Sequence, residues 1–404
     1  MHRELPHVAA MKHCLRLTLI TLILTACRSA ETTSEPAPQV TAPTMTDRAA
    51  TEAARLRDIY AGPQSGWPAP HVDADVVHVE LGRVDRPARA TDPRAIARIE
   101  LGQTLFFDAR LSGTGQMACA SCHDAELGWA DGRATSFGHG FQPLPRNAPS
   151  LLNVAFGTSF FWDGRAASLE DQALAVFENA NEMHSSMDAV LASVRSSRGY
   201  REQFKAAWNE DLPTLENTLR SIAAFERTLV SDGSSAFDDF LGGKRDALSD
   251  AAVRGLHLFR TEARCVNCHN GPLLTDGKFH DLGLSYYGRK LQDLGRYEVT
   301  RDPADVGRFK TPSLRNVMRT GPYMHNGLFD IDGVLNMYSA GMVTLKRKPE
   351  QADDPLFPTK SPHLKELGLD AQKKGDLAAF MDALTERRRR VRPPAMPALG
   401  DAGE

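Results

Sequence analysis

The sequence predicts an all-α fold that consists of two helical domains. Apolar residues recur at helical spacing in several segments, and no long alternating pattern typical of β-strands is present. In each half of the chain, a helical segment with Leu-Phe near its end precedes the pentapeptide Cys-x-x-Cys-His. This repeated order of helix and pentapeptide indicates one domain for each pentapeptide.

Length and composition are those of a globular protein. With 404 residues, of which 42% are hydrophobic and 25% charged, the chain can bury a full core, most simply in two domains. The net charge of -3 is too small to favour nucleic acid as a partner.

The N-terminus has the pattern of an export signal. The apolar run 17–26 follows Arg16 and is too short to span a bilayer. Because the run ends in Leu-Thr-Ala before Cys27, it resembles the lipobox of bacterial lipoproteins, and we expect a lipidated Cys27 that tethers a periplasmic protein to a membrane. An ordinary signal peptide with a chance cysteine is the alternative. Residues 1–27 are thus the signal, and the Ser-, Thr- and Pro-rich residues 28–48 are predicted to be a flexible tether.

The predicted N-terminal domain spans residues 49–245. Its first strong helix is indicated by apolar residues close to helical spacing, which are Ile96, Ile99, Leu101, Leu105 and Phe106. Further amphipathic stretches lie at 168–177, 187–208 and 215–229.

The predicted C-terminal domain spans residues 246–388. A segment rich in Gly, Ser and Asp, 231–252, contains the boundary, and Ser249 stands where a helix N-cap is expected. A last helix is predicted at 371–384. The basic and Pro-rich residues 389–404 are predicted to form a disordered tail.

The two pentapeptides have the spacing of c-type haem attachment sites. They read Cys119-Ala120-Ser121-Cys122-His123 and Cys265-Val266-Asn267-Cys268-His269. Two thiols at this spacing add to the two haem vinyl groups, and the adjacent imidazole binds the iron. Disulfides or zinc would leave unexplained the histidine that follows both pairs. The sequence therefore predicts two covalent c-type haems with His123 and His269 as proximal ligands.

Several further motifs resemble the bacterial dihaem cytochrome c peroxidases over about residues 92–384. In chain order they are RNAPSLLNVAF, FFWDGRAASLEDQAL, ENANEMH, AAFERTL, GRFKTPSLRNVMRTGPYMHNG and VLNMYSAGM. The resemblance implies two cytochrome c-like helical domains with one haem each. It further implies that hydrogen peroxide reacts at the N-terminal haem, and that the C-terminal haem passes electrons to it.

The resemblance assigns three residues around the N-terminal haem. Gln172 and Glu182 match the distal-pocket residues of the family. A carboxylate held over the haem can move a proton between the two peroxide oxygens, whereas an amide can only hydrogen-bond to them. We therefore expect Glu182 to be the acid–base group and Gln172 to position the peroxide. Trp162 matches a tryptophan between the haems, although packing beside Phe160 is the alternative role.

The resemblance also assigns distal axial ligands. His139 lies in a Gly-rich loop that matches a mobile loop carrying a sixth ligand to the N-terminal iron, which would block the resting site. For the C-terminal iron the alignment gives Tyr338, as in the dihaem enzyme that builds the tryptophan-derived quinone of methylamine dehydrogenase. Met342 and Met337 are close alternatives, and a Met ligand would raise the reduction potential.

The remaining implications concern calcium and the electron donor. The family binds calcium between its domains, and the matching positions are the Asn147 side chain with the Thr320 and Pro322 carbonyls. The expected donor is a small cytochrome c or cupredoxin. The C-terminal half also resembles trihaem quinol peroxidases, but the absence of a third Cys-x-x-Cys-His makes quinol a weaker expectation. A homodimer is a further possibility.

Three functions remain open at this point. The leading hypothesis is a peroxidase that reduces hydrogen peroxide to water. The second is a peroxide-dependent enzyme that oxidises residues of a partner protein, which Tyr338 favours. The third is an electron-transfer cytochrome without catalysis of its own.

Overall fold

The structure is a computed structural model that describes residues 44–388 and 390–398. The predicted export signal, the lipidated Cys27, most of the tether and the last six residues lie outside the described part. Eleven α-helices lie in that part: α1 Met45–Tyr60, α2 Pro93–Phe107, α3 Leu169–Glu178, α4 Met187–Ser196, α5 Arg198–Trp208, α6 Leu215–Glu226, α7 Ala236–Leu241, α8 Asp250–Arg260, α9 Tyr297–Thr300, α10 Ile331–Ser339 and α11 Ala371–Ala383.

These elements confirm the all-α prediction. The only sheet within the described ranges pairs β1 (Phe279–Asp281) antiparallel with β2 (Arg308–Lys310), with Phe279 opposite Lys310. None of the described helices is long and apolar enough to cross a membrane. Helix α1 begins at Met45, so it includes the last four residues of the segment 28–48 that was predicted to be a flexible tether.

Short polar side chains fix where most of the helices begin. Each accepts a hydrogen bond from a backbone N–H of the first turn, which would otherwise have no partner. These N-caps are Asp92, Ser168, Ser186, Ser197, Thr214, Ser235, Ser249, Asp330 and Asp370. Ser249 confirms the cap expected before α8.

Two helix pairs form the centres of the two halves. Helix α2 packs on α6, and α8 packs on α11. A Cβ atom on Gly102 would lie 1.8 Å from the carbonyl oxygen of Ser221, and one on Gly255 would lie 1.9 Å from that of Asp376. Only glycine permits either approach. Each helix pair also has one phenylalanine contact of the same length. The ring centroids of Phe106 and Phe225 are 5.2 Å apart, and so are those of Phe259 and Phe380.

A loop in each half repeats the same hydrogen bonds. Ser150 donates through Oγ to the Gly128 carbonyl at 2.6 Å, and Ser313 donates to the Leu273 carbonyl at 2.6 Å. Three residues later, a left-handed asparagine donates its N–H to the end of the packed helix pair. The two bonds run from Asn153 to Leu229 and from Asn316 to Leu384. The internal duplication therefore extends well beyond the pentapeptides.

The described residues from Met45 onward form one compact unit, and the domain boundary at 245/246 remains a prediction. The tail segment 390–398 packs on the N-terminal half. Val391 contacts the apolar cluster around Phe106, and Ser197 donates a hydrogen bond to the Ala398 carbonyl.

Candidate active site

Both pentapeptides line one cavity of about 1120 Å³. Its wall is largely apolar and carries a few polar side chains, as expected of a cofactor site. The polar or aromatic residues that sequence analysis singled out on this wall are Asn147, Trp162, Gln172, Glu182, Thr320 and Tyr338.

The two proximal histidines have the same orientation. The Nδ1 atom of His123 lies 2.9 Å from the Trp129 carbonyl oxygen, and that of His269 lies 3.0 Å from the Leu274 carbonyl oxygen. A carbonyl only accepts, so each Nδ1 carries the proton and each Nε2 keeps its lone pair. Burial lowers the pKa of both imidazoles and favours this neutral form. Both rings are therefore ready to bind a metal through Nε2.

The four pentapeptide cysteines lie at the cavity wall, and none of them is in a disulfide. Burial raises the pKa of Cys265 and of Cys268 to about 12, so both are thiols rather than thiolates. At each pentapeptide, two thiols and one Nε2 donor on a largely apolar cavity wall are the groups that a covalent c-type haem requires. The residues present therefore fit two haems.

Helices α3 and α10 occupy corresponding places beside the cavity. Counted from the N-caps Ser168 and Asp330, the fourth residues are Gln172 and Val334, and the eighth are Val176 and Tyr338. All four line the cavity. Residues four apart share one helix face, so these matched positions of both helices face the cavity.

Tyr338 is the residue on α10 that could ligate a metal in this cavity. Burial raises the pKa of its phenol, and the neighbouring Cys268 and Cys265 add to the rise. A tyrosinate therefore needs a cation such as ferric iron beside it. Met342 is buried outside the cavity lining, and so the structure places Tyr338 rather than Met342 on the wall.

Glu182 follows α3 and faces the cavity. Its Oε2 is buried and has no hydrogen-bond partner. Burial raises the pKa of this carboxyl, and the charge of Arg165 only partly opposes the rise. A buried carboxyl with a raised pKa holds a proton more readily than an exposed one and can return it.

Trp162 contacts both halves of the chain. Its Nε1 donates to the Asn147 carbonyl at 2.9 Å, and its ring meets His325 edge-to-face at 6.5 Å. His325 in turn stacks on Phe309, with centroids 3.6 Å apart. Burial lowers the pKa of His325 to about 4, so the ring beside Trp162 is uncharged at neutral pH.

His139 is not among the residues that line the cavity. Its ring stacks on that of His184, with centroids 4.0 Å apart, and its backbone N–H donates to the Asn181 carbonyl at 2.9 Å. A Cβ on the preceding Gly138 would lie 1.8 Å from that same carbonyl, so this loop packs closely against the segment that carries Glu182. The role of His139 as an axial ligand remains a prediction.

The three predicted calcium positions lie together on the cavity wall. The Asn147 amide is 3.4 Å from the Pro322 carbonyl oxygen, and Thr320 also lines the cavity. An amide oxygen and two carbonyl oxygens are ligands that suit calcium, provided that the amide turns its oxygen inward.

Sequence analysis missed three features of this site. Val176 lines the cavity at the position of α3 that corresponds to Tyr338 of α10. Glu226 is a buried carboxyl on the wall. Arg146 joins the halves through ion pairs to Asp163 at 2.6 Å and to Asp293 at 2.7 Å. The motifs AAFERTL and RNAPSLLN contain Glu226 and Arg146, but charge within a motif does not reveal which way a side chain points.

A helical fold whose cavity carries two Cys-x-x-Cys-His sites defines the class of dihaem c-type cytochromes. Residues 96–246 match the family model of di-haem cytochrome c peroxidase. The cytochrome-c peroxidase IdrP1 of Pseudomonas sp. (strain SCT) is 37% identical over 328 residues, which cover 74% of this chain and 83% of the relative.

A second relative and a solved structure agree with this match. The methylamine utilization protein MauG of Methylorubrum extorquens is 38% identical over 323 residues, 78% of this chain and 87% of the relative. The crystal structure of a MauG-like protein associated with microbial copper homeostasis superposes with a TM-score of 0.64 at 32% identity and covers 78% of this chain and 95% of its own.

The chain belongs to the di-haem cytochrome c peroxidase family, which confirms the resemblance found in the sequence. It is an oxidoreductase of the peroxidase type, and the family supports two c-type haems in the cavity.

Proposed function

We propose that this protein reduces hydrogen peroxide to water at the haem of Cys119 and Cys122, with electrons relayed from the haem of Cys265 and Cys268. The proposal rests mainly on a difference between α3 and α10. Val176 has no atom that could ligate iron, whereas Tyr338, at the corresponding position of α10, has a phenol oxygen that could. The haems, when bound, supply an iron site for peroxide and storage for electrons.

The chain's own residues would handle the proton and the peroxide. The Glu182 carboxylate accepts a proton from the peroxide oxygen nearer the iron and gives it to the oxygen that leaves. The Gln172 amide hydrogen-bonds to the peroxide and orients it. Trp162 carries electrons between the halves, because its indole contacts residues of both.

Further parts of the proposal rest on sequence and family. The protein is exported to the periplasm, where a small cytochrome c or cupredoxin donates electrons, and a calcium ion binds at Asn147, Thr320 and Pro322. Asn147 and Pro322 lie near each other, with the amide nitrogen 3.4 Å from the Pro322 carbonyl oxygen, so two of the three expected calcium positions are neighbours.

The test measures stoichiometry. A reduced one-electron donor is mixed with the holoprotein and a limiting amount of hydrogen peroxide, and donor oxidation is followed by absorbance. We expect two donors oxidised for each peroxide consumed, because water formation needs two electrons. Peroxide loss without donor oxidation would contradict a peroxidase.

Tyr338 on the cavity wall favours a second candidate function, the peroxide-dependent oxidation of a partner protein. In that case turnover with small donors is slow, and mass spectrometry of proteins incubated with holoprotein and peroxide finds an oxidised residue in a partner.

A purely electron-transferring cytochrome would retain its function in Glu182→Gln.

A further inference from the structure

Glu226 is a buried carboxyl that the proposed peroxide chemistry does not use. It is the last residue of α6, its exposed fraction is 3%, and it lines the cavity. Its Oε2 is buried without a hydrogen-bond partner. An unpaired buried carboxylate is costly, so the proton-bound form is favoured.

The internal repeat gives this position a counterpart. The Gly102–Ser221 crossing corresponds to the Gly255–Asp376 crossing, and five residues beyond Ser221 and Asp376 stand Glu226 and Met381. Met381 is also buried on the cavity wall, and it belongs to the apolar cluster against which Cys265 packs. Glu226 and Met381 therefore occupy corresponding positions at the two haem sites. The first site has a titratable carboxyl there, and the second has a thioether.

The charges around Glu226 leave it without an ion pair. The guanidinium of Arg227 binds Glu170 at 2.9 Å instead, and it only partly offsets the effect of burial on Glu226. Glu170 is the other charged residue that acts on Glu226, and it opposes ionisation. The charge of Glu226 also raises the pKa of the nearby Cys119 thiol. Haem attachment removes this interaction, because it converts the thiol to a thioether. Burial raises the pKa of Glu226 to about 8.

We propose that Glu226 is the proton site coupled to the redox change of the N-terminal haem, binding one proton on a carboxylate oxygen when that haem gains an electron and releasing it when the electron leaves. An added electron makes the nearby site more negative, which disfavours a buried carboxylate. Each electron that enters would then bring one of the two protons that peroxide reduction consumes. The inference rests on the haem assignment of the proposed function but not on peroxide turnover.

The first test is the midpoint potential of each haem, measured by spectroelectrochemistry without peroxide at pH values on either side of 8. In the wild type, the potential of the N-terminal haem should fall as pH rises, because reduction requires a proton. Glu226→Gln should lose this slope. The potential of the N-terminal haem in this variant should match that of the wild type at low pH. It should exceed the wild-type value at high pH, where Glu226 of the wild type is a carboxylate.

A matched control is Glu386→Gln. Glu386 is also buried and has a pKa raised by burial, but it does not line the cavity. This variant should keep the wild-type slope. An equal loss of slope in both variants, or an unchanged slope in Glu226→Gln, would overturn the proposal.

A second measurement does not depend on that variant incorporating haem. Infrared difference spectra of the wild type, reduced minus oxidised, should show the C=O stretch of a protonated carboxyl that appears on reduction and shifts in D₂O. Met381→Glu should add a pH slope to the C-terminal haem, because it places a carboxyl at the counterpart position. The absence of a protonated carboxyl band in the wild type would also contradict the proposal.

Discussion

The two halves of the chain share a backbone scaffold and differ in the side chains that this scaffold presents to the cavity. Both have a glycine crossing, a phenylalanine pair and a proximal histidine held by a backbone carbonyl. At corresponding positions the N-terminal half has Gln172, Val176 and Glu226, and the C-terminal half has Val334, Tyr338 and Met381.

This contrast shows how one architecture can yield two unequal haem sites. The shared contacts fix the helices and loops through a small set of residues, so the other side chains are free to differ. The side chains that differ are polar and proton-holding around the first motif, with no ligand on α3. Around the second motif they are apolar, with one oxygen donor on α10. Function would follow from this division.

Removing one haem should have the largest effect. Cys119→Ala combined with Cys122→Ala should abolish peroxide reduction, because no thioether would hold the peroxidatic haem. Cys265→Ala combined with Cys268→Ala should stop steady-state turnover by cutting the electron supply, but should leave a reaction of the other haem with peroxide. Stopped-flow absorbance with peroxide alone distinguishes the two. Equal behaviour would contradict the division of roles.

The acid–base group should come next. Glu182→Gln should lower the peroxidase rate roughly 10²–10⁴-fold, the usual contribution of a general acid–base residue. The measurement is the initial rate of donor oxidation at saturating peroxide. Glu178→Gln alters an exposed residue at the end of α3, the helix that Glu182 follows, and is the control. A similar loss in both variants would point to an effect on charge or folding.

The helix α10 ligand can be tested by spectroscopy. Tyr338→Phe removes the oxygen donor, and the electron paramagnetic resonance signal of one ferric haem should change while its reduction potential rises, since tyrosinate stabilises ferric iron. Met342→Leu should leave both unchanged, because Met342 does not line the cavity. The reverse pattern would assign the ligand to Met342.

The halves also differ in how the loop after Pro-Ser-Leu, a tripeptide that both halves contain, is held in place. Arg315 is buried and donates to both carboxylate oxygens of buried Asp238, at 2.9 and 2.8 Å, whereas Leu152 stands at the matching position. Arg315→Leu should lower the free energy of unfolding by about 3–5 kcal/mol, because it leaves a buried charge without its partner.

Chemical denaturation of the holoprotein measures this loss. The double variant Arg315→Leu with Asp238→Leu serves as its control, because it removes both charges and should recover part of the stability. No recovery would mean that Arg315 acts through its bonds to the Pro272 and Gly82 carbonyls instead.

Sequence alone could predict the parts of this molecule that depend on local spacing. The pentapeptides determine where the cysteines and proximal histidines stand, and Ser249 could be placed as a cap because a cap needs only its own first turn. The family motifs led to Gln172, Glu182 and Tyr338, all of which the fold brings to the cavity.

Other features depend on helix rotation and on distant packing. Glu226 and Val176 lie on the cavity wall because α6 and α3 are held by contacts with residues far along the chain, which no local pattern encodes. That the basic and Pro-rich tail is disordered stays a prediction. Within it, Val391 contacts an apolar cluster of the N-terminal half, a contact between residues far apart in the chain that no local pattern encodes.

The smallest expected effect concerns the caps of α3 and α10. Ser168→Ala and Asp330→Ala each remove one hydrogen bond, at Asp171 N–H and Gly333 N–H, and should each cost about 1 kcal/mol of unfolding free energy. Only Ser168→Ala should also slow peroxide reduction. Loss of this cap loosens α3, which carries Gln172 and has no residue that would bind iron. Loss of the Asp330 cap should matter less, because a Tyr338 ligand would hold α10 in place.

Denaturation and initial rates measured on the same preparations test this last comparison. Ser186→Ala, which removes the cap of α4, is the control, since none of the α4 residues lines the cavity. If Asp330→Ala slows the reaction as much as Ser168→Ala does, α10 is not anchored by its tyrosine. The difference between the two helices would then lie in electron transfer and not in the stability of the site.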